Sequence, residues 1–276
     1  MRESTPGILM VTALLGGTFL ATPARAQALG DRYWIEMAGD WPGIDTDVQV
    51  SSVEFSTIGT AINAETDLGL NDRKLLPVLR AGARLGGGWS IGAEFYSLRR
   101  GTTNRLARDI TFEDVTYPAS VSVTTEFNTD IYRFTIGYAF IRERTFEIGG
   151  AIGVHATDVE ASIEGDGRIG DAAAQFRRRT KRFLAPMPTV GLFANVQVLP
   201  RLTLGGRIDY LSLSVGDYDS RLINAQVSAA YRFLPNVGIG VMYSLVDYRV
   251  DVEKELYTGR IAYRFSGPAA FLQLGF

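Results

Sequence analysis

Residues 131–140 read IYRFTIGYAF, in which every second side chain is large and apolar: Tyr132, Phe134, Ile136, Tyr138 and Phe140. The intervening Ile131, Arg133, Thr135, Gly137 and Ala139 are smaller or polar. Successive side chains of an extended strand point to opposite faces, so this stretch is a strand with one greasy and one mixed face. The same period recurs along the chain. Phe146, Ile148, Ile152 and Val154 oppose Glu147, Gly149, Gly153 and His155. Leu202, Leu204, Ile208 and Tyr210 oppose Thr203, Gly205, Arg207 and Asp209. Ile223, Ala225, Val227, Tyr231 and Phe233 oppose Asn224, Gln226, Ser228 and Arg232.

Short turn signals separate these stretches on one side: Gly86-Gly87-Gly88, Arg142-Glu143-Arg144, Leu199-Pro200-Arg201 and Leu234-Pro235-Asn236. Longer polar connections are expected on the other, over 52–73, 100–119, 164–182, 214–219 and 251–256. Counting between turns predicts about ten antiparallel strands: 31–51, 74–85, 89–99, 120–140, 145–163, 183–198, 201–213, 220–233, 237–250 and 257–276. The first and last are expected to change parity, through bulges near Trp41-Pro42-Gly43 and Ser266-Gly267-Pro268. Short turns on one rim and long loops on the other are the asymmetry of an all-β transmembrane barrel.

Charge placement separates this architecture from a soluble sandwich, which shows its charged face to water. Within the membrane-length segments the apolar parity carries no Lys, Arg, Asp or Glu. The opposite parity is expected to hold Glu36, Asp40, Arg80, Arg84, Glu94, Arg133, Glu147, Arg207, Asp209, Arg232, Arg260 and Arg264. A lipid-facing band must be free of such charges, because Arg or Lys at mid-depth costs about 2–4 kcal/mol. Trp89, Phe95, Phe140, Phe146, Tyr210, Phe233, Tyr243 and Phe276 fall at strand ends on the apolar parity, where girdle aromatics belong.

Composition narrows the chemistry. The 276 residues hold no Cys and a single His, which excludes disulfide scaffolds, cysteine nucleophiles, iron–sulfur clusters and multi-His metal sites. A net charge of −2 with 21% charged residues fits neither a nucleic-acid binder nor a disordered chain. At the N-terminus, Arg2 precedes an apolar run from Ile8 to Leu20, and Ala24-Arg25-Ala26 matches a small-x-small cleavage site. The run is too short to span a bilayer as a helix, so residues 1–26 read as a cleaved signal peptide and 27–276 as the barrel.

The chain ends Ala270-Phe271-Leu272-Gln273-Leu274-Gly275-Phe276, with Leu272, Leu274 and the terminal Phe276 on one parity. This resembles the C-terminal insertion signal of bacterial outer-membrane β-barrel proteins. The resemblance implies the Gram-negative outer membrane as location. It also implies outer-membrane lipid as surroundings, with periplasmic chaperones and the barrel-insertion machinery as assembly partners. It implies no particular activity.

For function the lumen comes first. Arg80, Arg84, Arg133, Arg207 and Arg232 can pair with Glu94, Glu147 and Asp209 across a narrow interior and block it. The alternative is a small anion-favouring porin. An extracellular-rim hydrolase would need His155, expected towards the outer end, but Asp158 and Glu160 lie on the other parity and no G-x-S-x-G occurs. No catalytic residue, metal site or cofactor is therefore assigned. Arg177, Arg178, Arg179, Lys181 and Arg182, read as an outer loop, stand where guanidinium groups would meet lipopolysaccharide phosphates. The expected role is non-enzymatic, either structural or surface-interacting, or that of a weak pore. The sequence sets no oligomeric state.

Overall fold

The computed structural model describes residues 28–52, 58–112, 115–169, 172–253 and 257–276. The expected signal peptide, residues 1–26, lies outside them. Beyond a single 3-10 turn at Ala28–Gly30, the regular structure of the described residues is strand. In chain order these are β1 (Tyr33–Asp40), β2 (Gly43–Ser52), β3 (Ile62–Asn63), β4 (Leu76–Gly86), β5 (Trp89–Arg105), β6 (Ile110–Phe112) and β7 (Val115–Tyr117). They continue as β8 (Ser122–Arg142), β9 (Phe146–Ile169), β10 (Ala172–Leu199), β11 (Leu202–Val215), β12 (Tyr218–Arg232), β13 (Val237–Glu253) and β14 (Tyr257–Gly275).

The sheet closes on itself. Pairing runs β1-β4-β5-β8-β9-β10-β11-β12-β13-β14, every pair antiparallel, and β14 returns to β1. Because β14 pairs with β1 through Asp40↔Ala269 and with β2 from Gly43↔Ser266, β1 and β2 form one stave, and the ring has ten. Closure abolishes the unpaired edges that an open sheet exposes. It is reinforced at the chain end, where the Phe276 carbonyl accepts from Arg32 N at 2.6 Å and Tyr33 N at 3.0 Å.

Two bulges expected from the sequence are absent. The β14 register is the same on both sides of Trp41-Pro42, so no residue is inserted there. Even-numbered side chains from Glu36 to Val50 face inward throughout, and Pro42 merely interrupts the pairing. In β14 the odd parity stays inward from Tyr263 to Phe271. Arg260 and Arg264 therefore face outward, contrary to the reading of the sequence, and pair with Asp251 and Asp247 on the outer surface.

The short turns share one rim as expected. All three residues of Gly86-Gly87-Gly88 have positive φ (94°, 57° and 89°), a conformation that favours glycine. At the opposite rim the connections differ from the expected long loops. Residues 164–169 and 172–182 are not loop but the continuing β9–β10 ladder. The arginine-rich segment 177–182 is thus strand, with Arg178 opposite Glu164 and Arg182 opposite Glu160 in register. β11–β12 and β13–β14 also reach further than expected, leaving short connections. Among the described residues, 58–75, 106–112 and 115–121 belong to the long excursions, and they fold back over the barrel mouth.

The outer face of the lower barrel is apolar. Phe134, Ile152, Val227 and Val241 are 61–63% exposed there, whereas their lumen neighbours Arg133 and Glu147 are 5% and 2% exposed. Seven of the eight expected girdle aromatics are exposed, and Phe146 is half-buried. Trp89 packs on Tyr138 near the short-turn rim, and Phe95 on Tyr132 higher up, at ring separations of 4.9 and 5.1 Å. Above this band the outward parity turns charged, with exposed pairs such as Arg99–Asp130 at 2.7 Å and Arg264–Asp247 at 3.0 Å. The strands therefore cross an apolar layer and stand clear of it on the long-loop side.

Candidate functional site: a closed lumen

The lumen is stratified. Nearest the short turns lies a charge network built from the inward parity of seven staves. Arg80 on β4 donates to Glu94 at 2.9 Å and to Glu36 at 2.8 Å, with Asp40 at 3.6 Å. Arg84, two inward positions further along β4, places both terminal nitrogens on Glu147 at 2.8 and 3.1 Å. Asn195 completes Glu147 at 2.8 Å. Arg133 pairs with Asp209, which also accepts two bonds at 2.8 Å from Arg207. Arg232 pairs with Asp31, in the short segment before β1.

Arg80, Arg84, Arg133 and Arg207 each meet one of the three acidic residues Glu94, Glu147 and Asp209. Arg232 differs. Its partner Asp31 lies just before β1, and the strand expected over 31–51 gives this odd-numbered residue the outward parity, so the sequence reading does not place it in the lumen. Nearly complete pairing is what burial demands, because an isolated guanidinium or carboxylate taken out of water costs several kcal/mol. Glycines assist: a side chain on Gly82 would collide with the Trp34 ring, and one on Gly149 with Phe193. The rings lie flat against the wall at these positions, and Arg84 stacks over Trp34 at 5.8 Å. Gly82, Gly149 and Gly240 thus make room for aromatic rings. A cavity of about 270 Å³ persists beside Arg80, Arg84, Glu94 and Arg207.

Above the charges sits an apolar layer that crosses the lumen. Leu76, Leu98, Met187, Leu222, Val246 and Phe265 come from six different strands and pack as one cluster. Higher still, the two returning segments bury Leu68, Leu70, Leu106, Phe112 and Tyr117 against Val123 and Phe127. Arg100, only 3% exposed, ties this cap down. It pairs with Glu65, donates to Thr46 Oγ1 at 2.7 Å and lies 5.2 Å over the Phe127 ring. Reading the first β5 boundary at residue 99 hides Arg100, although it continues the inward parity of Glu94, Tyr96 and Leu98. At the outer surface Arg108 donates to Asp67 at 2.6 and 3.2 Å. Burial would raise the Asp67 carboxyl, but the Arg108 and Asn63 hydrogen bonds outweigh it and hold the group below its usual range.

His155 faces the lumen as expected, but it is not at the outer rim. It is 3% exposed, opposite Arg133 and Met187 in register and beneath the cap. Its Nδ1 has no hydrogen-bond partner among the described residues. The β8–β9 register is unbroken there, so Asp158 and Glu160 stay on the other face. No group of three His, Cys, Asp or Glu residues suited to a metal ion occurs among the described residues. The side chains of Arg177, Arg178, Arg179, Lys181 and Arg182 lie outside what the structure describes. Leu272 and Leu274 lie on the outward parity of β14 and Phe276 is 54% exposed, so the three residues of the expected insertion signal share the outward face.

No protein-family model and no curated protein matches the chain. Solved structures do. The outer membrane protease OmpT from Escherichia coli superposes with a TM-score of 0.57 at 15% identity, over 90% of this chain and 98% of that one. A Pseudomonas aeruginosa FadL homologue matches at 0.39 and 11%, over 92% of each chain. Ail of Yersinia pestis matches at 0.32 and 8%, over 87% of this chain and 99% of that one. At such identities the likeness concerns architecture alone. The charge-free outer band, the closed ring of ten staves and the OmpT superposition together show the fold, a closed antiparallel β-barrel like that of an outer membrane protease.

Proposed function

We propose that this barrel is a non-conducting, non-enzymatic protein of the outer membrane whose work is done at its outer surface. The observation that carries the reading is the succession of paired charges, apolar layer and Arg100-anchored cap along a single lumen. Each layer alone would obstruct ion passage, and ions crossing the second would lose hydration with nothing to replace it. His155 supports the non-enzymatic reading through its position, since its Nδ1 has no hydrogen-bond partner among the described residues and a base beneath a packed cap does not meet a polymeric substrate.

The tall β9–β10 hairpin is the part best placed to engage surroundings. Its run Arg177-Arg178-Arg179-Thr180-Lys181-Arg182 would stand at the height of lipopolysaccharide phosphates, which planar guanidinium groups bind bidentately. Assembly would use periplasmic chaperones and the insertion machinery, reading Leu272, Leu274 and Phe276.

Planar-bilayer recording of the purified protein tests the central point. The expected result is no steady conductance, either from the unmodified protein or from Arg100→Met, in which the two lower layers still close the lumen. A large, stable, anion-selective current from the unmodified protein would establish the porin reading, which the cavity beside Arg80 and Arg207 favours.

A further inference from the structure

The barrel wall is interrupted between β10 and β11. Their register runs from Leu199↔Leu202 to Val190↔Tyr210 and stops, although β11 continues to Val215 and β10 stays paired with β9 as far as Ala172↔Ile169. Pro186 and Pro188 stand where the ladder ends. In an antiparallel strand, hydrogen-bonded positions alternate between the two neighbours, so residues two apart address the same neighbour. Two prolines at this spacing delete consecutive donors from one side only. Opposite β9 the pairs Pro186↔Ala156 and Pro188↔Val154 persist, which assigns the missing donors to the β11 side.

The surroundings of this seam are apolar on both faces. Outside, a groove of about 1130 Å³ in the lipid-facing wall reaches it, bordered by Phe134, Ile152, Val154, Pro188, Val190 and Tyr210. The same groove touches Thr189 and Leu211, which have the lumen parity and flank the seam. Behind them Met187 and Leu211 belong to the apolar layer of the lumen. On β11 the outward residues change from Ile208 and Tyr210 to Ser212 and Ser214 above this point, so the seam opens at the upper margin of the apolar band.

A strand from another chain does not suit the site, because an edge without N–H groups at alternate positions cannot template pairing. Water gains little between Met187 and Leu211. We propose that the seam is a lateral lipid site. One acyl chain of an outer-leaflet lipid lies in the groove, passes between Pro188 and Ser212, and ends against Met187 and Leu211.

The test uses the unmodified protein in liposomes containing a phospholipid with a diazirine on its acyl chain. After illumination, adducts are mapped by mass spectrometry. Adducts on Met187, Thr189 or Leu211, in addition to lipid-facing Val190 and Tyr210, are expected. Adducts confined to the lipid-facing residues overturn the proposal. A second arm restores the two donors with Pro186→Val and Pro188→Val together. The ladder should then extend, and the lumen-side adducts should be lost while those on Val190 and Tyr210 remain. Persistence of the lumen-side adducts in that variant would show that the missing donors do not create the opening.

Discussion

Arg84 and Glu147 meet across the lumen from β4 and β9, strands separated by β5 and β8 in the ring, through two hydrogen bonds of 2.8 and 3.1 Å. Glu147 is 2% exposed, and Asn195 from β10 completes its shell. The pair therefore ties together two non-adjacent staves instead of reinforcing a local hairpin.

Removing one member leaves the other charged and dry. Glu147→Ala should lower the unfolding free energy by about 3–5 kcal/mol, the range for breaking a buried ion pair. Replacing both, as Arg84→Met with Glu147→Leu, should cost less, because no uncompensated charge is left behind. Urea titration of the barrel in lipid vesicles measures both. Equal losses would mean that the pair is not energetically coupled.

The two faces of β8 give a neighbouring-residue comparison. Ile136 faces lipid at 47% exposure, and Thr135 borders the lumen cavity. Ile136→Arg should cost about 2–4 kcal/mol in lipid. Thr135→Arg should cost less, since the cavity offers water and nearby carboxylates. The same titrations report both values, and a reversed order would mean that the parity assigned to β8 is wrong.

Deleting Phe276 removes the carbonyl that accepts from Arg32 and Tyr33 and the outermost aromatic of β14. Closure between the first and last staves should weaken, and membrane insertion should fall while export continues. Fractionation shows this as protein accumulating in the periplasm at the expense of heat-modifiable barrel in the outer membrane. Undiminished barrel yield would count against a role for this residue in assembly.

Acid should loosen the cap from its outer surface. The Asp67 carboxyl is held below its usual range despite the opposing effect of burial, chiefly by Arg108. A carboxyl whose folded value is lowered stabilises the fold above its unfolded value, about 4, and loses that contribution as pH falls towards the lowered one. Hydrogen exchange of residues 62–70 should therefore accelerate below about pH 4. In Asp67→Asn the segment should exchange faster at neutral pH and lose most of this dependence. The effect is modest because the pair is largely exposed.

The alternation of residues 131–140 and its counterparts determined most of the architecture by itself. A strand has a side-chain period of two, so face, charge segregation and strand count can all be read locally, and the tight turns mark the boundaries. Arg80, Arg84, Glu94, Arg133, Glu147, Arg207 and Asp209 were legible as lumen residues for the same reason. Which of them meet was decided by ring closure and register, which bring β4 within side-chain reach of β9 and β8 within reach of β11. Local pattern was misleading where a break in pairing resembled a bulge: Trp41-Pro42 interrupts the hydrogen bonds without shifting the register, and β14 runs through Gly267-Pro268 with its parity intact, leaving Arg264 outside. Asp31, the cap held by Arg100 and Glu65, and the seam at Pro188 came from the tertiary structure alone. Each depends on contacts between segments far apart in the chain, and a periodic pattern carries no information about distance across a lumen.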